Sequence, residues 1–139
     1  MHKQIFVNLP IKDMARSQAF FRAMGYGFNS QFTNDQAAAL VLGENLFAML
    51  LVEDFFKGFT SKRIVDATQS TEVLTCLSCD SRAQVDALVA KAVAAGATVP
   101  RQPQDHGFMY SHGFEDLDGH IWELVFMDAS AAANPAQDA

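Results

Sequence analysis

The order of strand-like and helix-like segments in this sequence predicts an α+β fold in which a βαβββ module occurs twice. The first observation is a pair of helical stretches, each bounded by a capping residue and a glycine. The second is that the three strand-like runs after the first helix have counterparts after the second. One domain is predicted over residues 1–128, with modules at about 4–53 and 72–127 and a linker at 54–71.

The first module begins with a strand at 4–9, whose apolar side chains alternate along the chain. Asp13 is placed to cap the next helix, 14–24, because an aspartate side chain accepts hydrogen bonds from the first free backbone amides. Gly25 then ends the helix, since glycine readily adopts positive φ. Three strands are predicted to follow, at 26–33, 37–42 and 46–52.

The second module repeats this order. A strand at 72–79 precedes a cap at Asp80 or Ser81, and a helix at 82–95 ends at Gly96. Three further strands are predicted at 98–102, 108–114 and 121–127. The two halves share a pattern rather than identical residues, so the sequence supports duplication only through the order of its elements.

The last two strands form a predicted hairpin around a turn at 116–119, where aspartates and a glycine suit a tight reversal. If Glu115 faces His120, then His112 lies opposite Glu123. Tyr110 shares that face, which would be mostly apolar with a few polar groups, as in a ligand cavity. A hairpin whose polar residues simply meet water is the alternative, and a slip of one residue would exchange the faces.

Two motifs carry a resemblance to a known superfamily. The ending Asp-x-Asp-Gly-His-x-Trp-Glu-Leu, residues 116–124, resembles the last hairpin of the vicinal oxygen chelate superfamily, which includes glyoxalase I, bleomycin and fosfomycin resistance proteins and extradiol dioxygenases. Residues 8–14 with Ser17, Phe20, Phe21 and Gly25 are similar to its opening strand and helix. The resemblance implies that the two modules curve their mixed sheets into an open barrel around a ligand.

The resemblance also implies where a metal would bind. Superfamily enzymes hold a divalent ion through side chains on the first and last strand of each module, and the ion chelates adjacent substrate oxygens. In this chain the corresponding positions are Phe6, Met49 as the best candidate within 48–51, Leu74 and Glu123. Because hydrocarbon side chains do not coordinate a cation, no cofactor is predicted. A rebuilt divalent site that uses His112 and Glu72 beside Glu123 is the disfavoured alternative.

The predicted function is therefore the binding or sequestering of a small organic ligand. Its predicted ligand-binding residues are Asn8, Met49, Tyr110, His112 and Glu123. The alternative is a lyase, isomerase or dioxygenase of the glyoxalase type, with Glu123 and His112 as the catalytic acid and base or with a rebuilt metal site. As a third explanation, the Glu123 carboxylate has only a structural role and accepts hydrogen bonds from buried donor groups. The sequence leaves open whether the protein is an enzyme.

Composition narrows the classes of partner. The formal net charge of −6, without clustered Lys or Arg, argues against nucleic acid. No apolar run approaches a membrane span and no signal pattern opens the chain, so a cytoplasmic location is expected. The resemblance implies a homodimer. Residues 129–139 are Ala-rich without periodicity and are expected to form a flexible tail.

Two further features have structural explanations. Cys76 and Cys79 lie in a predicted strand, where about 10 Å and opposite faces would separate them, so we expect reduced thiols rather than a disulfide or zinc site. Phe55, Phe56 and Phe59 form an aromatic segment in the linker. An aromatic plug on the core is the favoured explanation, and a moving lid or a dimer contact are the alternatives.

Overall fold

The computed structural model describes residues 1–132, and the chain divides into two compact units, Met1–Asp66 and Ala67–Ala139. Each unit contains one four-stranded sheet with parallel and antiparallel neighbours, together with one longer helix. The boundary between the units falls within residues 54–71, the predicted linker. The predicted α+β fold with its repeated βαβββ order is confirmed, and each sheet is open rather than closed on itself.

The first unit has the strand order β1-β4-β3-β2, in which β1 and β4 are parallel and the other neighbours antiparallel. Its elements are β1 (Ile5–Ile11), α1 (Met14–Ala23), β2 (Gly27–Asn29), β3 (Ala37–Gly43), β4 (Leu46–Val52) and α2 (Glu53–Phe56). Single 3-10 turns at Ser30–Phe32 and Lys57–Phe59 follow β2 and α2. The strand predicted at 26–33 is therefore shorter, because its second half coils into the first of these turns.

Both ends of α1 follow the prediction. The Asp13 carboxylate accepts a hydrogen bond of 3.0 Å from the backbone N–H of Arg16, and Gly25 has a φ of 101° just after the helix. The helix contacts β3 and β4 and covers one face of the sheet. The buried side chains of this core are Leu9, Ile11, Phe20, Phe21, Met24, Ala38, Leu40, Ala48 and Leu50. Burial of each larger one stabilises the unit by about 1.5–3 kcal/mol.

The second unit has the equivalent strand order, β5-β8-β7-β6, with β5 and β8 parallel. Its elements are β5 (Leu74–Cys79), α3 (Arg82–Ala94), β6 (Gln104–Asp105), β7 (Met109–Glu115), β8 (Ile121–Met127) and α4 (Ala129–Ala132). Ser81 is the residue that caps α3, because its hydroxyl oxygen accepts a 3.0 Å hydrogen bond from the N–H of Gln84. The core lies between α3 and the sheet, and it buries Val85, Val89, Ala92, Phe114, Trp122 and Leu124.

The strand predicted at 98–102 is largely wrong. Only Thr98 forms a β-bridge, to Glu115, and regular pairing resumes at β6. Pro100 and Pro103 lie in the interval. Because proline has no N–H to donate to a ladder, the chain leaves the sheet edge between residues 99 and 103.

The turn between β7 and β8 is built around Asp116, which is 7% exposed. Its carboxylate accepts hydrogen bonds from the backbone N–H groups of Asp118 and His120, both at 3.0 Å, and from the Trp122 indole N–H at 2.8 Å. Burial raises the pKa of Asp116, and this effect is opposed by the charge of His120 and by the Trp122 N–H. Gly119 has a φ of 89°, as the turn prediction requires.

The predicted register of this hairpin is wrong by one residue. Glu115 pairs with Ile121 rather than facing His120, because the Asp116 N–H donates a 2.9 Å hydrogen bond to the His120 carbonyl and so extends the pairing. The loop therefore contains three residues, 117–119, rather than the four assumed. Every residue of β7 therefore pairs with a residue of β8 that is one position away from its predicted partner.

The structure of residues 1–132 also bears on several smaller predictions. Cys76 is exposed and Cys79 is buried, and both are free thiols, as expected for opposite faces of β5. Phe55 and Phe59 contact each other edge to face, with ring centroids 5.4 Å apart, and both are exposed, Phe59 at 69%, so Phe59 does not plug the core. Residues 129–132 of the expected tail form a helical turn, and residues 133–139 lie outside the described part. None of the helices within residues 1–132 is long and apolar enough to cross a membrane.

Candidate functional site

Glu123 lies at the centre of β8, between two small neighbours. It pairs with Gly113 on β7 and with Cys76 on β5. A Cβ atom built on Gly113 would be 2.9 Å from Glu123 Oε2, so the carboxylate extends over the glycine. A larger residue at 113 would occupy the position of the carboxylate.

The carboxylate borders a groove of about 160 Å³ on this face of the second unit. The alternation of side chains along the strands places Leu74, Ile121 and Glu123 on the same face, opposite the buried Trp122 and Leu124. The groove is lined by Leu74, Pro100, Arg101, Gln102, Gln104, Ser111, His112, Gly113, Phe114, Glu115, Ile121 and Glu123. Seven of these twelve residues are charged or polar, and Leu74, Pro100, Phe114 and Ile121 supply the apolar surface.

The predicted opposition of His112 and Glu123 is wrong, because His112 pairs with Leu124 in the observed register. His112 belongs to the face that α3 covers, and its Nε2 atom lies 3.1 Å from the Arg101 carbonyl oxygen at the strand edge. It still borders the groove, but from the edge of β7. The shared face on which an acid–base pair was expected therefore does not exist.

Tyr110 also lies on the α3 side of the sheet. Its hydroxyl donates a 2.6 Å hydrogen bond to Asp86 Oδ1, which raises the pKa of Tyr110. The Arg82 guanidinium lies 5.3 Å from the centre of the Tyr110 ring, a cation–π distance. This predicted ligand-binding residue thus connects β7 to α3 and is absent from the groove lining.

The Arg82 guanidinium also contacts the segment at the end of β6 and just after it. Arg82 forms a 2.7 Å ion pair with Asp105 and donates a 2.9 Å hydrogen bond to the Gly107 carbonyl. Hydrogen bonding from the Gly107 N–H, followed by that from Arg82, lowers the pKa of Asp105. These contacts fix residues 105–107 at the end of the groove-lining loop.

Asn8 and Met49 lie in the first unit, where they pair with each other across β1 and β4. Met49 lies on the face of β4 opposite the buried Ala48 and Leu50, just as Glu123 lies on the face of β8 opposite Trp122 and Leu124. Asn8 is exposed and its amide donates a 3.3 Å hydrogen bond to the Phe6 carbonyl. The rings of Phe6 and Phe47 stack beside this pair, with centroids 5.0 Å apart.

The residues present do not fit the divalent metal centre that the superfamily implies. The expected ligand positions Phe6, Met49 and Leu74 offer hydrocarbon or thioether groups, and hard divalent cations require oxygen or nitrogen ligands. Within residues 1–132, no three His, Cys, Asp or Glu side chains come together in a metal-binding arrangement. Cys76 stands beside Glu123, but burial and then the Glu123 charge raise the pKa of Cys76, which disfavours the thiolate that a metal needs.

Of the twelve residues that line the groove, sequence reasoning assigned only His112 and Glu123 to the ligand site and Leu74 to a metal position, so it missed Arg101, Gly113 and Glu115 among others. Gly113 lies beside Glu123 only in the observed register, because the predicted register places His112 there. Two prolines that flank Arg101 were the available signal that the chain leaves the sheet there.

The fold agrees with the comparisons to known proteins. Residues 3–43 match a family model described as bleomycin resistance protein-like N-terminal. A hypothetical protein from S. aureus has 26% sequence identity and a TM-score of 0.76, and the alignment covers 91% of this chain and 95% of that chain. No curated protein matches the sequence at a significant level.

Two further solved structures share the fold at lower identity. One is a glyoxalase/bleomycin resistance protein/dioxygenase family enzyme from Burkholderia phytofirmans PsJN, at 19% identity and a TM-score of 0.72, with 88% of this chain and 96% of that chain covered. The other is a fosfomycin resistance protein from Listeria monocytogenes, at 18% identity and a TM-score of 0.67, with 94% and 97% covered. Together with the family model, these matches confirm the resemblance to the vicinal oxygen chelate superfamily.

Proposed function

We propose that this protein binds a small organic molecule in the groove beside Glu123 and does so without the metal centre of its superfamily. The observation that carries the proposal is a carboxylate without an ion-pair partner among residues 1–132, held over Gly113 at the edge of a groove that also has apolar side chains in its wall. A ligand that displaces solvent from this carboxylate must compensate its charge. A ligand with a cationic or hydrogen-donating group would do so.

Binding is favoured over acid–base catalysis for a geometric reason. An acid–base pair needs both groups within reach of one reacting atom. Here Glu123 and His112 belong to opposite faces of the sheet, and the imidazole is already engaged with the Arg101 carbonyl. A bleomycin resistance protein-like family model and a fosfomycin resistance protein are among the matches, and sequestration of a ligand is the form of binding we propose. The homodimer and the cytoplasmic location stay predictions from the sequence.

The test is a ligand screen by native mass spectrometry and thermal unfolding. The probes are a pooled mixture of small amines, amino acids and other polar metabolites, applied to the wild type, to Glu123→Gln and to Glu44→Gln as control. Glu44 lies in the exposed turn between β3 and β4, in the first unit. We expect at least one probe to bind the wild type and the control alike and to bind Glu123→Gln about 10-fold or more weakly.

Two results would contradict the proposal. One is equal affinity of every bound probe for the wild type and Glu123→Gln. The other is a stoichiometric divalent metal in the purified protein, measured by elemental analysis, together with loss of that metal in Glu123→Gln.

A further inference from the structure

The outer edge of β7 contains a gap beside the Glu123 carboxylate. Glu115 exchanges two backbone hydrogen bonds with Thr98, of 2.8 and 3.1 Å, and Ser111 pairs with Gln104. Between these pairs, residues 99–103 face residues 112–114, so the outer chain has two residues more than its partner. The extra length bulges away from the sheet.

Gly113 presents its backbone polar groups to this gap. In β7, Glu115 and Met109 direct their backbone hydrogen bonds to the outer edge, toward Thr98 and His106 respectively. Gly113 is an even number of residues from both, so its N–H and C=O point to the same edge. Within the described part of the chain, no backbone hydrogen bond joins Gly113 to residues 99–103. The groove therefore offers one free donor and one free acceptor from the main chain.

Residues with charged side chains of both signs line the groove that contains these backbone groups. Glu123 and Glu115 contribute carboxylates, and Arg101 contributes a guanidinium that is always charged. None of the three forms a salt bridge with another side chain of residues 1–132. The Arg101 backbone is itself held, because its carbonyl oxygen lies 3.1 Å from His112 Nε2.

We propose that the groove recognises an apolar amino acid as its zwitterion. This inference deepens the proposed function and rests on it. The ammonium group would bind the Glu123 carboxylate and the Gly113 carbonyl, and the ligand carboxylate would bind the Arg101 guanidinium and the Gly113 N–H. Leu74 and Ile121 supply the apolar wall for the side chain, and a volume of about 160 Å³ limits the ligand to a small molecule.

The experiment uses three probes that share one isobutyl chain: L-leucine, 3-methylbutylamine, which lacks the carboxylate, and 4-methylpentanoate, which lacks the amine. Their binding to the full chain is measured by calorimetry and by NMR titration. The variants are Glu123→Gln and Arg101→Gln. The matched controls are Glu44→Gln, which removes a negative charge from the exposed turn after β3, and Lys62→Gln, which removes a positive charge from another exposed position.

We expect L-leucine to bind more tightly than either partial analogue. Glu123→Gln and Arg101→Gln should each weaken L-leucine binding by about 10-fold or more, because each removes a charge-assisted hydrogen bond. Arg101→Gln should leave the affinity for 3-methylbutylamine unchanged, since that probe has no carboxylate. The two control variants should bind all three probes as the wild type does.

Other outcomes separate this inference from the proposed function. If L-leucine does not bind, or binds no better than 3-methylbutylamine, the zwitterion inference is overturned. The proposed function still stands in that case when another probe of the ligand screen depends on Glu123. If no probe in either experiment is sensitive to Glu123→Gln, both the inference and the proposed function are wrong.

Discussion

Glu123 and Gly113 form a matched pair across β8 and β7, in which the absent side chain of one residue makes room for the carboxylate of the other. A Cβ atom at position 113 would lie 2.9 Å from Glu123 Oε2 and 2.7 Å from the Trp122 carbonyl oxygen. The second of these atoms belongs to the backbone of the central strand and cannot move freely. The position of the carboxylate therefore depends on the glycine.

We expect Gly113→Ala to destabilise the protein by about 1–3 kcal/mol, as overpacking against backbone does. The same change should displace the Glu123 carboxylate and weaken ligand binding. Urea unfolding measures the first effect and calorimetry the second. Gly27→Ala is the control, because that strand glycine has no atom within 4 Å of its would-be Cβ. An unchanged unfolding midpoint for Gly113→Ala would show that position 113 has room for a side chain.

Alanine substitutions at Gly119 and Gly107 distinguish the stability cost of backbone strain from the cost of a packing clash. Gly119 and Gly107 both have positive φ, of 89° and 81°. A Cβ at Gly119 would lie 2.7 Å from the backbone nitrogen of Thr68, whereas a Cβ at Gly107 meets nothing within 4 Å. We expect Gly107→Ala to cost about 1 kcal/mol and Gly119→Ala to cost about 1–3 kcal/mol more, measured by urea unfolding. Equal losses would mean that the turn does not pack against residues 67–68.

The thiol of Cys76 reports on the charge of Glu123. Burial is the larger cause of its raised pKa, and the Glu123 carboxylate adds to it. Glu123→Gln should therefore lower the pKa of Cys76 and accelerate its alkylation by iodoacetamide at neutral pH by roughly twofold or more. Peptide mass spectrometry distinguishes Cys76 from the buried Cys79. Glu72→Gln serves as control, and a rate that rises equally in both variants would contradict the adjacency of Cys76 and Glu123.

Asp105 provides a prediction for pH dependence. The Gly107 N–H and then Arg82 lower its pKa in the folded protein, so the ionised form is favoured there relative to the unfolded chain. This contribution to stability is fully present above the usual aspartate pKa and is lost as the pH falls through the lowered value. A carboxyl NMR titration should place Asp105 below the usual aspartate range. Arg82→Gln should raise that midpoint and Lys62→Gln should not, and equal midpoints in all three proteins would contradict the Arg82 contact.

The sequence alone determined the elements whose signals are local. Asp13 marks the start of α1 and Gly25 marks its end, as predicted. Helix capping and a positive φ are both set by residues within one turn of the helix end, so the local sequence indicates them. The same holds for the glycine of the last turn and for the placement of Glu123 on a strand. The resemblance of the two end motifs indicated the superfamily, and the observed strand order confirmed its fold.

Only the tertiary structure decided which residues meet Glu123. One hydrogen bond from the Asp116 N–H to the His120 carbonyl shifts the hairpin by one residue, which moves His112 to the opposite face and brings Gly113 beneath the carboxylate. Arg101 reaches the groove because two prolines release its segment from the sheet edge. The register of a hairpin and the position of a bulge depend on single hydrogen bonds between strands. When both faces of a strand carry apolar side chains, the alternation of apolar residues fits two registers that differ by one residue almost equally well, so the sequence does not distinguish them.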